Sequence, residues 1–247
     1  MGAKRLLAAV VLLVAVALGA VPASAEWFGD LYVGGAFTQN DDLKAKGSFN
    51  GAAFELTARD LRFDSSVTGG GRLGYWFEAL PWLGLGVDVA YFAPNVSSQN
   101  VDTTVRLAGV STNVGQVSFD NLKLDVTDVS FDLMLRWPGL VASPQFPKGR
   151  LQPYLTVGPA IFLATAKDST NFGPPNNQTS HDTSVGVKAG FGTTWMLTPN
   201  IGIFGEYRFT HFSPKFEFDS DVAGFSKTKV ETDVNTHHAL VGVTFRF

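Results

Sequence analysis

The sequence predicts one all-β domain, an antiparallel up-and-down transmembrane barrel of eight strands. Three observations carry this. Eight blocks alternate apolar and polar residues one by one, the period of a strand whose side chains point to opposite faces. Every charged residue within those blocks falls on the same face. The connections between blocks alternate long and short.

The N-terminus sets the compartment. Lys4 and Arg5 precede an apolar run, Leu6 to Val21, and Ala23-Ser24-Ala25 follows with small-x-small spacing. This is the pattern of a secretory signal peptide cleaved after Ala25, so residues 1–25 are a leader and 26–247 the barrel domain. Without Lys4 and Arg5 the basic count falls from 19 to 17 against 22 acidic residues, a net charge of −5. Neither that charge nor any basic block recommends a nucleic-acid partner. Cysteine is absent, so no disulfide framework holds the fold.

The blocks follow in order, outward face first. Trp27, Leu31, Val33 and Phe37 alternate with Asp30, Tyr32, Gly34 and Ala36. Val67, Leu73, Tyr75 and Phe77 alternate with Thr68, Arg72, Gly74 and Trp76. Leu83 to Tyr91 sets leucine, valine and tyrosine against Gly84, Gly86, Asp88 and Ala90. Val129, Phe131, Leu133, Leu135 and Trp137 oppose Ser130, Asp132, Met134 and Arg136. Leu155, Val157, Ile161 and Leu163 oppose Gln152, Tyr154, Thr156 and Gly158. Val185, Val187, Phe191, Trp195 and Leu197 oppose Gly186, Lys188, Gly190 and Thr194. Ile201, Ile203, Tyr207 and Phe209 oppose Gly202, Phe204, Glu206 and Arg208. The last block sets Val241, Val243, Phe245 and Phe247 against His238, Leu240, Gly242, Thr244 and Arg246.

The second face collects Asp30, Arg72, Asp88, Asp132, Arg136, Lys188, Glu206, Arg208 and Arg246, both signs among glycines. Such a face suits the narrow inside of a barrel whose outside is lipid. A lipid-facing sheet has to close, because an open edge leaves backbone groups unsatisfied in hydrocarbon. Eight strands leave room for little beyond side chains. The nine charges, with Trp76, Tyr154, Phe162 and Phe204, therefore read as an internal network that plugs the lumen; the alternative is a narrow pore.

Short links surround Pro81 and Thr198-Pro199-Asn200, with a modest one from Pro138 to Arg150. The long connections are Gln39–Ser66, Phe92–Asp128, Ala164–Ser184 and Thr210–His238. Barrels of the outer membrane place short turns in the periplasm and long loops outside. An even strand count puts both chain ends in the periplasm, where Trp27, Phe77, Trp82, Trp137, Trp195 and Phe247 form an aromatic girdle. The long loops contain alternating runs too, such as Val101 to Val105 and Phe216 to Phe218, so the hairpins are expected to continue above the membrane. Two irregularities are expected. Pro153 and Pro159 lie inside a strand of a sheet without edges and call for bulges. The apolar parity slips between Val126 and Val129, which predicts another bulge near Asp128.

The leader, Leu151–Gly158, Gly205–Phe212 and the closing run His238–Phe247 resemble the eight-stranded outer-membrane β-barrel family, the group of the OmpA transmembrane domain, OmpX and small porin-family proteins. The resemblance covers essentially all of residues 26–247. It implies an integral Gram-negative outer-membrane protein contacting outer-membrane lipid and lipopolysaccharide. Phe245 and Phe247 resemble the terminal signal read by the barrel-assembly machinery, although the family often has a polar residue where Leu240 stands. The implied role is structural or surface-interacting, through the extracellular loops and toward a ligand the sequence does not name. The fold itself hosts many functions.

One catalytic alternative is on view. His211 and Ser213 share the outward face at the extracellular rim and are similar to the pair of lipid A deacylases, eight-stranded hydrolases that use Ser, His and a carboxylate. In that family Asn follows the serine; here Pro214 follows it and brings no oxyanion donor. No cofactor is implied. His237 and His238 are adjacent and face opposite sides of a strand, so they make no metal site between them. Asp41-Asp42 and Asp219 to Asp221 are acidic clusters of the kind that takes Ca²⁺ or bridges cations to lipopolysaccharide, but they read first as solvated loop charges. Gly69-Gly70-Gly71 leads into a strand rather than a helix, so it is a place of close wall approach and not a phosphate loop.

Overall fold

The computed structural model describes residues 26–107, 109–168, 171, 177–219 and 227–247. The leader and Asp221 lie outside the described residues. These form fourteen strands: β1 (Glu26–Thr38), β2 (Asp41–Phe49), β3 (Ala52–Leu61), β4 (Ser66–Trp76), β5 (Leu83–Phe92), β6 (Gln99–Leu107), β7 (Val110–Phe119), β8 (Leu122–Arg136), β9 (Leu151–Asp168), β10 (Thr179–Met196), β11 (Ile201–Phe212), β12 (Lys215–Phe218), β13 (Thr228–Glu231) and β14 (Val234–Arg246).

Eight of them close a barrel in the order β1-β14-β11-β10-β9-β8-β5-β4. The closing pair is antiparallel and unbroken, from Phe28 opposite Arg246 to Thr38 opposite Thr236. In the membrane zone the two faces separate as the alternation predicts. Val33, Val87, Phe131, Val157, Phe191, Ile203 and Val241 are exposed on the outer wall, while the glycine-rich charged face is turned inward.

The other six strands form one sheet, β12-β13-β2-β3-β6-β7. Each continues a barrel strand upward, and their order repeats the order of β11, β14, β1, β4, β5 and β8 beneath them. The long loops are thus hairpins that extend the barrel wall. β9 and β10 reach upward within single strands of 18 residues each, a contour of about 60 Å. A tilted crossing needs only about 9–11 residues.

Above the membrane the wall reverses polarity. Leu43, Ala45, Leu122, Leu124, Val126, Phe162, Ala164, Phe212, Phe216, Phe218, Val230 and Val234 point inward and form an apolar core. Lys123, Asp125 and Thr127 point outward at the same height. Outside lipid, a strand does what a soluble sheet does: it buries its apolar face and wets the polar one.

This reversal corrects the bulge expected near Asp128. β8 keeps even-numbered residues inward from Leu122 to Arg136, and its register with β5 runs without a shift from Leu83 opposite Leu135 to Phe92 opposite Val126. The apparent slip of parity is a change of surroundings, not of backbone. The bulges expected at Pro153 and Pro159 are absent too. β9 pairs β10 continuously from Lys167 to Leu151. Pro153 lies where β8 ends, and its carbonyl accepts the Trp137 amide at 2.8 Å. The β8–β9 ladder is interrupted only at Phe131 and Asp132, opposite Pro159 and Gly158, and resumes in the same register. A Cβ on residue 158 would lie 1.9 Å from the Phe131 carbonyl oxygen. The strands thus close onto Gly158 where Pro159 has no amide to offer.

Candidate functional site

The lumen is filled in three layers. The middle layer is an ion network at mid-strand. Arg72 on β4 reaches Glu206 on β11 through Nη2, at 3.0 and 2.8 Å from the two carboxylate oxygens. The same guanidinium donates through Nε to Asp88 at 3.1 Å and through Nη1 to Asp30 at 3.4 Å. Arg208 donates to Glu206 at 2.9 Å and to Asp88 at 3.0 Å. Lys188 sits 2.7 Å from Asp132 and 3.4 Å from Asp88. All these side chains are buried.

Two tyrosines complete the layer. Tyr32 donates to Asp88 at 2.6 Å and lies under the Arg208 guanidinium, 4.7 Å from its carbon. Tyr154 donates to Glu206 at 2.8 Å. The Tyr32 hydroxyl gets there because β4 is glycine at the crossing point. A Cβ on Gly70 would lie 2.5 Å from that hydroxyl and 2.2 Å from the Val89 carbonyl oxygen.

The lower layer closes the periplasmic mouth. Glu26 takes two hydrogen bonds from Arg136, at 2.8 and 2.6 Å, and one from Lys148 at 2.7 Å. Arg246 lies 3.7 Å from the same carboxylate and stacks on Phe28 at 5.0 Å. Arg136 stacks on Trp76 at 4.4 Å. The link from Pro138 to Arg150 folds under this cluster. Gly139 donates to the Lys148 carbonyl, and Phe146 is buried. The upper layer is the apolar core, and its lower boundary is polar: His238 shares a 3.1 Å hydrogen bond with Thr210 and meets Phe92 edge-on.

All nine charged residues singled out from the sequence are therefore inside, but in two groups. Asp30, Arg72, Asp88, Asp132, Lys188, Glu206 and Arg208 make the middle network. Arg136 and Arg246 belong to the mouth with Glu26 and Lys148. Sequence reasoning missed five members, Lys148 on the connecting segment among them. Tyr32 and Tyr154 lie on the interior face, where alternation alone gives them no hydrogen-bond role, and Glu26 lies just outside the first block. Asp128, buried with its Oδ2 unpartnered among the described residues, was hidden by the supposed bulge. Following even positions down to Leu122 would have found it.

His211 and Ser213 are not brought together. Nδ1 of His211 pairs with the Asn235 side-chain oxygen at 2.7 Å, and the Ser213 hydroxyl donates to Asp233. No hydrogen bond joins the two among the described residues, so the nucleophile–base contact of a serine hydrolase is unmade. His237 pairs outward with Tyr207 at 2.5 Å while His238 points inward. Among the described residues no group of three or more His, Asp or Glu is placed to hold a metal ion.

Solved structures of the same architecture resemble the chain. OprG of Pseudomonas aeruginosa superposes with a TM-score of 0.52 at 14% identity, over 91% of this chain and 96% of that one. Neisserial surface protein A gives 0.47 at 12% identity, over 90% and 97%. Ail, the attachment invasion locus protein of Yersinia pestis, gives 0.37 at 14%, over 91% and 99%. At these identities the likeness concerns fold alone. A search of curated protein sequences finds no match. The model of the outer membrane protein beta-barrel domain matches residues 11–247, so the chain belongs to that family, whose place is the Gram-negative outer membrane.

Proposed function

We propose that the protein acts at the cell surface through its extracellular hairpins, with the barrel as a sealed anchor. One observation carries this reading: the polar lumen is filled by buried ion pairs and overlaid by an apolar core, while the wall above extends into an ordered sheet. A filled lumen argues against conduction, and an ordered sheet has less conformational freedom to lose on binding than a loose loop.

The β6–β7 hairpin is the part best fitted to contact a partner. β7 is the end strand of the upper sheet and, among the described residues, residues 110–118 pair only with β6. Leu107, Val110, Val114 and Val117 are exposed, and β7 carries no charge and no proline. Native sheets usually guard such an edge, and an unguarded one accepts an extended segment by main-chain pairing.

The test compares cells displaying the wild type with cells displaying a Val110→Asp, Val114→Asp, Val117→Asp variant. Adhesion to matrix proteins, to sulfated glycans and between cells is measured, with the heat-modifiable gel shift as the folding control. Wild-type expression should raise adhesion to at least one surface, and the variant should lose it. Adhesion unaffected by the triple change, or unitary conductance steps from the wild type in planar bilayers, overturns the reading.

A further inference from the structure

The periplasmic mouth holds a cation whose side-chain hydrogen bonds are, among the described residues, not all made. Arg246 is only 8% exposed, yet among the described residues its Nε and Nη1 have no hydrogen-bond partner, Nη1 having only the longer ion contact with Glu26. Its guanidinium lies over the Phe28 ring, 5.0 Å from the centroid, and over the Trp76 ring at 5.8 Å. The nearest carboxylate, Glu26, is 3.7 Å away and is already held by Arg136 and Lys148. Three cations thus converge on one carboxylate. A buried donor left unmade is costly, more so when it is charged.

Beside this guanidinium lies a cavity of about 360 Å³ lined by Glu26, Phe146, Lys148, Gln152, Met196 and Arg246. At a water's share of about 30 Å³ this is room for a small ion with part of its hydration shell. The free donors of Arg246 are buried, and Lys148 stands half-exposed at the same opening with its ammonium on Glu26. Glu78 also lines the cavity and limits the excess charge. Guanidinium groups bind tetrahedral oxyanions more strongly than they bind neutral acceptors.

We propose that the periplasmic mouth is a binding site for a phosphate-class oxyanion, held by Arg246 with Lys148 at the entrance. The occupant is a free phosphate or the phosphodiester of an inner-leaflet phospholipid headgroup, which share this chemistry. The site is independent of the surface role, since it lies at the opposite end of the barrel.

The whole folded protein in maltoside micelles is titrated with radiolabelled inorganic phosphate by equilibrium dialysis. Saturable binding is expected. Arg246→Gln should weaken it about tenfold, the loss of one charge-assisted bond, and Lys148→Gln should weaken it by a smaller factor. Lys229→Gln, on an extracellular strand, should leave it unchanged. Repeating the titration in phosphatidylglycerol nanodiscs separates the sources. Binding lost there marks the headgroup as occupant, and binding retained marks free phosphate. Arg246 lies in the closing strand, so if Arg246→Gln does not fold, Lys148→Gln on the connecting segment decides. No saturable phosphate binding by the wild type, or affinity unaltered in every folded mouth variant, overturns the proposal.

Discussion

Arg72 and Glu206 join two walls of the barrel across the lumen. Their strands, β4 and β11, are separated by β1 and β14 on the shorter way round, yet Nη2 of Arg72 lies 2.8 Å from Glu206. This bridge spans the lumen at the height where lipid surrounds the wall. Removing one partner of a buried pair strands the other charge, which costs about 3–5 kcal/mol. Arg72→Gln should therefore destabilise the barrel by that order in urea unfolding from vesicles. The Arg72→Met, Glu206→Met double variant should lose clearly less than the sum of its single changes, because Glu206 is then not left facing a missing cation, although Asp30 still is. Additive losses would show that the two residues do not share one interaction.

Glycine at 70 has a different reason from glycine at 205. Residue 70 lies under the Tyr32 hydroxyl and against the Val89 carbonyl, with 2.5 and 2.2 Å to a would-be Cβ. At residue 205 the nearest atom is 3.9 Å away. Gly70→Ala should displace Tyr32 from Asp88 and cost on the order of 1–3 kcal/mol, the range of overpacking. Gly205→Ala should be close to neutral. Equal urea midpoints for the two variants would remove the claim that Gly70 makes room for the tyrosine.

The upper sheet carries its own electrostatic tie. Lys46 on β2 donates to Glu231 on β13 at 2.9 Å. That hydrogen bond holds the Glu231 carboxyl below its ordinary value and raises Lys46. A depressed carboxyl contributes above its unfolded pKa, near 4.3, and its contribution is lost as pH falls through the lower folded value. Both groups are largely wet, so the effect is small and local. Amide exchange in β13 should speed up below about pH 4 relative to the barrel strands, and Glu231→Gln should remove that difference. A profile identical in the variant counts against the tie.

Much of this architecture is legible in the sequence, because lipid imposes one rule on every crossing. The period of two assigns Phe131 to lipid and Asp132 to the lumen without any coordinates. The rule stops at the membrane surface, and there the alternation misleads. Val126 turns inward while Val129 on the same strand turns outward, and a reading that keeps apolar residues outward has to invent a bulge between them. Pro159 likewise demands an irregularity unless the strand opposite closes onto Gly158, a contact between residues 27 positions apart in the chain. The division of the nine charges into two groups depends on tilt and register across the lumen. Glu26 and Arg136 meet over 110 positions, and no local pattern announces such a pairing.

The outward pair at the rim gives a chemical prediction. Ser213 is engaged by Asp233 and His211 by Asn235, so the serine–histidine contact that acyl transfer uses is not made between them. Lipid A from expressing cells, analysed by mass spectrometry, should retain its acyl chains whether the protein is wild type or Ser213→Ala. Loss of an acyl chain with the wild type alone would establish the hydrolase instead.

Phe247 closes the barrel from the periplasmic side. Its amide donates to the Trp27 carbonyl at 3.0 Å, just beyond the pairing of Phe28 with Arg246. Deleting it removes one bond of the seam and the terminal aromatic together. Outer-membrane yield should fall and periplasmic degradation should rise. Phe247→Tyr keeps both features and should assemble normally, and equal yields for deletion and wild type would dismiss the role in assembly.

The sharpest separation is between neighbours on β8. Leu133 is 41% exposed on the outer wall, and Asp132 is buried 2.7 Å from Lys188. An arginine on the lipid face near the midplane costs about 2–4 kcal/mol. That is a large share of a folded domain's stability, often about 5–15 kcal/mol, so Leu133→Arg should lower the urea midpoint strongly. Asp132→Asn keeps size and removes one charge from the network. Lys188 retains Asp88 at 3.4 Å, so the change should cost less than stranding a charge outright, and the barrel should still insert. Trp fluorescence and the heat-modifiable shift report both variants in the same vesicles. If Leu133→Arg unfolds no earlier than wild type while Asp132→Asn fails to insert, β8 is turned over, because a slip of one residue exchanges every side chain between lumen and lipid.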